Sequence, residues 1–283
     1  MKGYKIFIMS RLSIFLLFLV VTFGCRDSIR DKDNDLVTAM DYSTSMNAIN
    51  DLVKQIHNVA INDSILSQLD TNYSPSACFQ SKNLVSAGLG FPYILTIDFG
   101  SNSTCIDERI RRGKISVRFS GLYNSIGTLM EVSTENYYVQ EREVNFSGSL
   151  LVTDSDSSYL KFQRKISSGE VILPSSQGRL SALSRISGQD MVEIMLQSTP
   201  EETDDEFRIE GTLSGTSTTG VTYISGVSTP LSTSIPCRFE TSGSFTVSAS
   251  NIASRFGDYG VGDCDNIVTL SLHGVDYEKK LSD

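Results

Sequence analysis

The sequence predicts an all-β protein, mostly antiparallel hairpins forming a sheet or sandwich, with one N-terminal amphipathic helix. Three observations carry that prediction. From Phe91 onward apolar residues recur at every second position, the period of a half-buried strand. Clusters of Ser, Thr, Asn and Gly punctuate these runs at hairpin spacing. Helical spacing is confined to a stretch near 36–61, and the strand–helix–strand rhythm of a parallel sheet is missing.

The chain opens with a different signal. Lys2, Lys5 and Arg11 precede an apolar run from Leu12 to Phe23, which Gly24-Cys25 closes. The run is too short for a membrane-spanning helix, which needs roughly 20 residues. Residues 1–24 therefore read as a secretory signal peptide. The site resembles the bacterial lipobox, in which the cysteine is acylated and becomes the first residue of the mature protein. That makes Cys25 the expected lipidation site. Bacterial lipoprotein cysteines of this kind carry two or three chains of the palmitate type, enough to hold firmly. The expected address is the outer membrane, lipid-anchored, on either its periplasmic or its surface face. Residues 25–35 are polar and aperiodic and form a flexible tether, and 36–283 form a single β-rich domain.

Charge sets the partner class. The chain carries a formal charge of −9, and loss of residues 1–24 moves it to −12. An acidic surface is repelled by nucleic acid, so no DNA or RNA partner is expected. A membrane reached through the lipid, and an envelope protein or glycan, are the expected partners. The absence of tryptophan and the modest 20% of charged residues suit an exported β protein.

In the helix, Ile49, Leu52, Val53, Ile56, Val59 and Ala60 form one apolar stripe, with Asp51, Lys54, Gln55 and Asn58 on the opposite face. Asn34 or Asp35 caps its start, and Asn62-Asp63 marks its end. The strand runs follow: Tyr93, Leu95, Ile97 and Phe99; Ile115, Val117 and Phe119; Val144, Phe146, Leu150 and Val152; Phe207, Ile209 and Leu213; Val221, Tyr223 and Val227. Gly148 is placed for a bulge or a close backbone contact. Turns are expected at Asn124-Ser125, Thr153 to Ser158, Ser167 to Gly169, Ser175 to Gly178 and Ser217 to Gly220.

Four cysteines remain once Cys25 is given to lipid: Cys78, Cys105, Cys237 and Cys264. Both Cys78 to Cys105 and Cys237 to Cys264 span 27 positions, and their surroundings echo. Asp98-Phe99-Gly100 and Asp258-Tyr259-Gly260 precede the second cysteine, and Asp107 and Asp265 follow it. A duplicated unit (78–123 and 237–281) explains this. The repeat is compatible with all three connectivities, but locality favours Cys78–Cys105 and Cys237–Cys264, because those loops are the cheaper to close. A four-cysteine zinc site would want closely spaced ligand pairs, which the chain lacks.

Several of these segments also carry a family resemblance. Ile49-Asn50-Asp51, Ile97-Asp98-Phe99-Gly100 with Cys105, Arg112-Gly113-Lys114-Ile115, Glu135-Asn136-Tyr137-Tyr138-Val139, Thr229-Pro230-Leu231 with Cys237, and Asp258-Tyr259-Gly260 to Cys264-Asp265-Asn266 resemble an uncharacterised lipoprotein family of the Bacteroidetes. The resemblance covers nearly the whole mature chain. It implies an envelope lipoprotein and carries no reaction or ligand.

Catalytic motifs are thin. His57 and His273 are the two histidines, and no Gly-x-Ser-x-Gly elbow supplies a partner serine. Glu201-Glu202 with Asp204-Asp205-Glu206 is the densest acidic run and reads as a solvated loop. Asp258, Asp263 and Asp265, interleaved with glycines, are the one weak candidate for a Ca²⁺ site, without the closing glutamate of an EF-hand. Tyr137, Tyr138, Phe119 and Tyr123 could stack on a sugar, though core packing is the simpler role. Phosphate-binding glycine loops are absent. The expected function is a lipid-anchored envelope protein with a non-catalytic binding or structural role. The alternatives are a lipid-anchored glycan hydrolase or an apolar-ligand carrier.

Overall fold

The computed structural model describes residues 35–67, 78–173, 182–197, 204–250 and 252–281. Helix α1 spans Val37–Ile61. The strands are β1 Ser81–Gly88, β2 Gly90–Asp98, β3 Ser103–Thr104, β4 Ile110–Phe119, β5 Leu129–Val139, β6 Arg142–Ser155 and β7 Tyr159–Leu173. They continue as β8 Ala182–Met195, β9 Glu206–Thr216, β10 Thr222–Ser234, β11 Ser242–Ser248, β12 Arg255–Val261, β13 Ile267–Leu272 and β14 Val275–Lys280. Cys25 and the segments around it lie outside the described residues, as do Glu201, Glu202 and the turn expected at Ser175 to Gly178.

All fourteen strands belong to one open antiparallel sheet in chain order, with the short β3 set aside against β4. The period-two prediction is borne out as a single meander, so the sandwich alternative falls away. Each hairpin leads to the next neighbour, the topology that short polar turns favour. Asn124-Ser125 and Ser217 to Gly220 form turns as expected. Ser167 to Gly169 does not turn: β7 runs straight through it, and the pairing with β8 shifts between Ile166 and Gly169. That cluster is a β-bulge, which bends a strand where a turn would end it. Gly148 marks another shift, between β6 and β7, as the sequence suggested.

The helix is the larger departure. Asn62 closes the exit as read from the sequence, but the N-cap is Leu36 and makes no side-chain cap bond; Asp35, one residue earlier, accepts from the Val37 N–H. A single apolar stripe against a flat sheet would leave Asp51, Lys54, Gln55 and Asn58 in water. Instead every residue from Ser45 to Ile61 is buried. The sheet bends around α1, so its side chains meet strands on all sides: Arg111 of β4, Tyr137 of β5, Arg164 of β7, Ser184 of β8, Thr233 of β10 and Tyr259 of β12. Further register shifts in β5, β6 and β10 supply the bending.

Apolar packing fills the remaining space. Tyr42 meets Phe245 at 4.8 Å between ring centres, and Tyr123 meets Phe162 at 5.6 Å. The helix comes so close to β7 that a Cβ on Gly169 would sit 2.8 Å from Ile49 Cδ1. A side chain there would push the helix off the sheet.

Candidate functional site

Three buried polar clusters run along α1. At its middle, Asp51 accepts from Arg111 Nε at 3.0 Å and from the Tyr137 hydroxyl at 2.7 Å, and Arg111 Nη2 also reaches its other oxygen. The same guanidinium donates to both oxygens of Asp107, at 2.9 and 2.6 Å. Burial alone would push the Asp51 carboxyl up, but Arg111 and its hydrogen bonds hold it at about 2. Burial also drives the Tyr137 hydroxyl well above its usual range.

A second cluster joins Asn50, Asn47 and Lys54 to the far side of the sheet. Arg164 forks onto Asp190 and donates to Asn50 Oδ1 at 2.8 Å. Asn50 Nδ2 donates to Glu240 at 2.8 Å, and Arg109 donates to Asn47 Oδ1 at 2.5 Å. Lys54 Nζ donates to Thr233 Oγ1 at 2.7 Å and to the Cys237 carbonyl at 2.9 Å. Burial, followed by the nearby Arg109 charge, lowers the Lys54 ammonium to about 8.

The third cluster holds the C-terminal end of the helix. His57 Nδ1 lies 2.8 Å from the Tyr123 hydroxyl and Nε2 lies 2.9 Å from Asp205 Oδ2. Asp205 Oδ1 accepts the Gln197 N–H at 2.9 Å. Asp, His and Tyr in line look like a proton relay. His57 is 0% exposed, Asp205 1% and Tyr123 1%, so no substrate atom reaches them. What this set does is tie the helix end to the β8–β9 connection and to the segment after β4.

The described part of the acidic run is not a uniformly solvated loop. Asp204 is exposed and Glu206 is half-buried, but Asp205 is buried against a histidine rather than solvated. The mixture is invisible in sequence because a contiguous acidic run carries no sign of which carboxylate finds a distant donor. Tyr137 and Tyr138 divide as alternation predicts: Tyr137 is buried, and Tyr138 lies outside under Arg112, 3.9 Å from its ring. Phe119 and Tyr123 are core residues, so the four aromatics form no shared stacking surface. His273 sits in the β13–β14 turn, in the left-handed region at φ 53°.

The cysteines pair as locality suggested. Cys78–Cys105 and Cys237–Cys264 stand at disulfide distance, with Cα atoms 4.6 and 5.3 Å apart. The echo between the two units extends to atomic detail. Asp98 Oδ1 accepts from Gly100 N at 2.8 Å and Asp258 Oδ1 from Gly260 N at 2.7 Å, and both glycines have positive φ. Phe99 and Tyr259 are both buried between them. Asp107 and Asp265 each accept from the N–H two residues on. Asp258 and Asp265 thus close turns of their own, while Asp263 is exposed. No group of three or more His, Cys, Asp or Glu side chains gathers at metal-holding distance among the described residues.

The two disulfide loops meet. Arg238 donates to the Asp107 carbonyl at 2.7 Å and to Glu108 at 2.6 Å. Beside them lies an open polar cleft of about 630 Å³ lined by Ile106, Glu108, Pro236, Phe239, Asp265 and Leu281 among others. A second shallow concavity of about 770 Å³ lies over β7 to β11, with Ser187, Ser214, Thr216 and Ile224 on its walls. Among the described residues no helix is long and apolar enough to cross a membrane. Comparison with known proteins found no matching family model, no matching curated protein and no matching solved structure.

Proposed function

We propose that this chain is a non-catalytic lipoprotein of the outer membrane, held by acylated Cys25, whose sheet body binds or supports other envelope components. The observation that carries the reading is the state of the interior. The space that a curved sheet could offer to a ligand is occupied by α1, and its acids and bases are committed to one another (Asp51 with Arg111, Asp190 with Arg164, His57 with Asp205). Groups locked in this way hold a scaffold together, and recognition is left to the surface. The filled interior speaks against an apolar-ligand carrier. A glycan hydrolase needs two free carboxylates facing across a cleft. In the cleft between the disulfide loops, Asp107 is held by Arg111 and Glu108 by Arg238. Membership of the Bacteroidetes lipoprotein group belongs to the same proposal and rests on the sequence segments quoted above.

The test has two arms. Mass spectrometry of the mature N-terminus is expected to find Cys25 acylated; a free thiol there refutes the anchor. Affinity capture from intact cells is expected to recover envelope partners from the wild type and to lose them when Cys25→Ala releases the protein. A hydrolytic activity abolished by one point substitution would overturn the non-catalytic reading.

A further inference from the structure

Two neighbouring hairpins end in an uncharged apolar rim. β2 pairs with β4 so that Tyr93 stands opposite Phe119, which puts the β1–β2 tip beside the β4–β5 turn. The Tyr123 N–H donates to the Leu66 carbonyl, so this is the end of the body where α1 finishes. Neither 83–97 nor 119–130 contains a charged residue, in a chain of net charge −9. Yet both turns expose large side chains: Leu89 fully, Ile126 at 64% and Val85 at 51%, with Phe91, Ile94 and Leu129 also exposed. Tyr93 braces Phe91 edge-on at 4.9 Å. The backbone of the two turns finds its partners inside the protein. The Ser86 hydroxyl donates to the Gly88 carbonyl at 2.7 Å, meets the Gly90 carbonyl, and accepts from the Gly88 N–H at 3.1 Å. In the second turn the Thr128 N–H donates to the Ser125 carbonyl, the Gly127 N–H to the Val152 carbonyl and the Leu129 N–H to Ser120 Oγ. Hydrocarbon offers no such partners, so a segment that enters it must satisfy itself.

We propose that this rim dips into the interface of a lipid bilayer, with Leu89, Phe91 and Ile126 as the side chains that enter it. The inference rests on the envelope reading above, which supplies the membrane. Lipid is selected by three features: two adjacent turns without charge, protruding apolar tips, and a turn backbone that needs nothing from its surroundings. The borders of the rim carry the charges that stay in water. Arg118, paired with Glu131 at 2.9 Å, stands opposite Ile94, and Asp154 and Asp156 lie at the β6–β7 turn, joined to the rim by Ser155 Oγ donating to the Asn124 carbonyl. From Phe91 to the Ile94 row is about 10 Å of strand, the depth to which an apolar face sinks at the headgroup boundary. The acids on the border repel anionic headgroups, so the lipid is zwitterionic. The anchor permits the contact. Ten positions separate Cys25 from Asp35, a reach of at most about 35 Å, while α1 is about 38 Å long. An anchored body can therefore lie over with this end on the membrane that holds Cys25.

The chain has no tryptophan, so one placed at the rim reports alone. Phe91→Trp in the full chain as cells produce it, mixed with phosphatidylcholine vesicles, is expected to give blue-shifted emission. Phosphatidylcholine brominated on its acyl chains is expected to quench that emission. Ile224→Trp, at an exposed position of β10, is expected to stay unquenched. Leu89→Ser in the Phe91→Trp background is expected to lower the ratio of inserted to free rim by about tenfold, the loss of one leucine's burial. Should Phe91→Trp fail to fold, Ile126→Trp takes its place. Emission that brominated lipid leaves untouched overturns the proposal, whether the rim is then free in water or buried on a protein. Equal quenching at Ile224→Trp overturns it too, as does quenching indifferent to Leu89→Ser. Co-sedimentation with the vesicles and the mass of the N-terminus read the anchor separately. An acylated chain that sediments without quenching sinks the rim and leaves the anchor standing, whereas quenching in a chain whose Cys25 is a free thiol sinks the anchor alone.

Discussion

Lys54 offers the sharpest test of the buried polar seam. Its ammonium is enclosed by the sheet, donates to Thr233 and the Cys237 carbonyl, and is lowered from 10.5 to about 8 by burial and by Arg109. Holding it charged at neutral pH costs the fold about 3 kcal/mol. The sign follows from proton counts. Below pH 8 both folded and unfolded chains carry the proton, so the full cost is present and constant. Between pH 8 and 10.5 the unfolded chain keeps the proton while the folded chain sheds it, so stability rises with pH. From pH 7 to pH 9 this amounts to about 1.3 kcal/mol. Urea titrations of the wild type and Lys54→Met at both pH values measure it. The wild type is expected to gain that increment relative to the variant. Thr233 Oγ1 donates to the Phe239 carbonyl, so the substitution leaves that hydroxyl satisfied. Parallel behaviour of the two proteins would refute the claim that Lys54 is a charged group paying for its burial.

Three further outcomes follow from the same geometry. Asp51→Asn strips the charge from the Arg111–Tyr137 cluster and is expected to cost about 3–5 kcal/mol in chemical denaturation. Because Asp51 is held at about 2 against the usual 3.8, its contribution is complete above pH 3.8 and is lost as pH falls toward 2, a loss that Asp51→Asn should not show. Replacing Cys78 and Cys105 together by serine is expected to lower stability by about 3–4 kcal/mol, read from the denaturation midpoint. Gly169→Leu puts a side chain where Ile49 Cδ1 stands and should cost about 1–3 kcal/mol, whereas Gly220→Ala, with open space around it, loses only the turn's φ preference.

The disulfide pairing and the turns were legible because they are local. Cysteines 27 positions apart, an Asp two residues before a glycine, and alternating Ile115, Val117 and Phe119 all encode their structure within a short window. The Ser167 to Gly169 cluster misled for the same reason: a bulge and a turn use the same small residues, and only the neighbouring strand distinguishes them. The partners of α1 had no local signature at all. Asp51 and Arg111 are separated by 60 positions, His57 and Asp205 by 148, and Asn50 and Glu240 by 190.

By itself, then, the amino-acid order determined the class of the fold, the helix near 36–61 and its C-terminal end, the strand period and the two cysteine units. Whether the polar side of that helix faced water or protein was decided only when the sheet closed around it. A stripe of Asp, Lys, Gln and Asn is equally at home in solvent or against buried arginines. The choice depends on where the bulges in β5, β6, β7 and β10 bend the sheet and bring Arg109, Arg111, Arg164 and Glu240 inward.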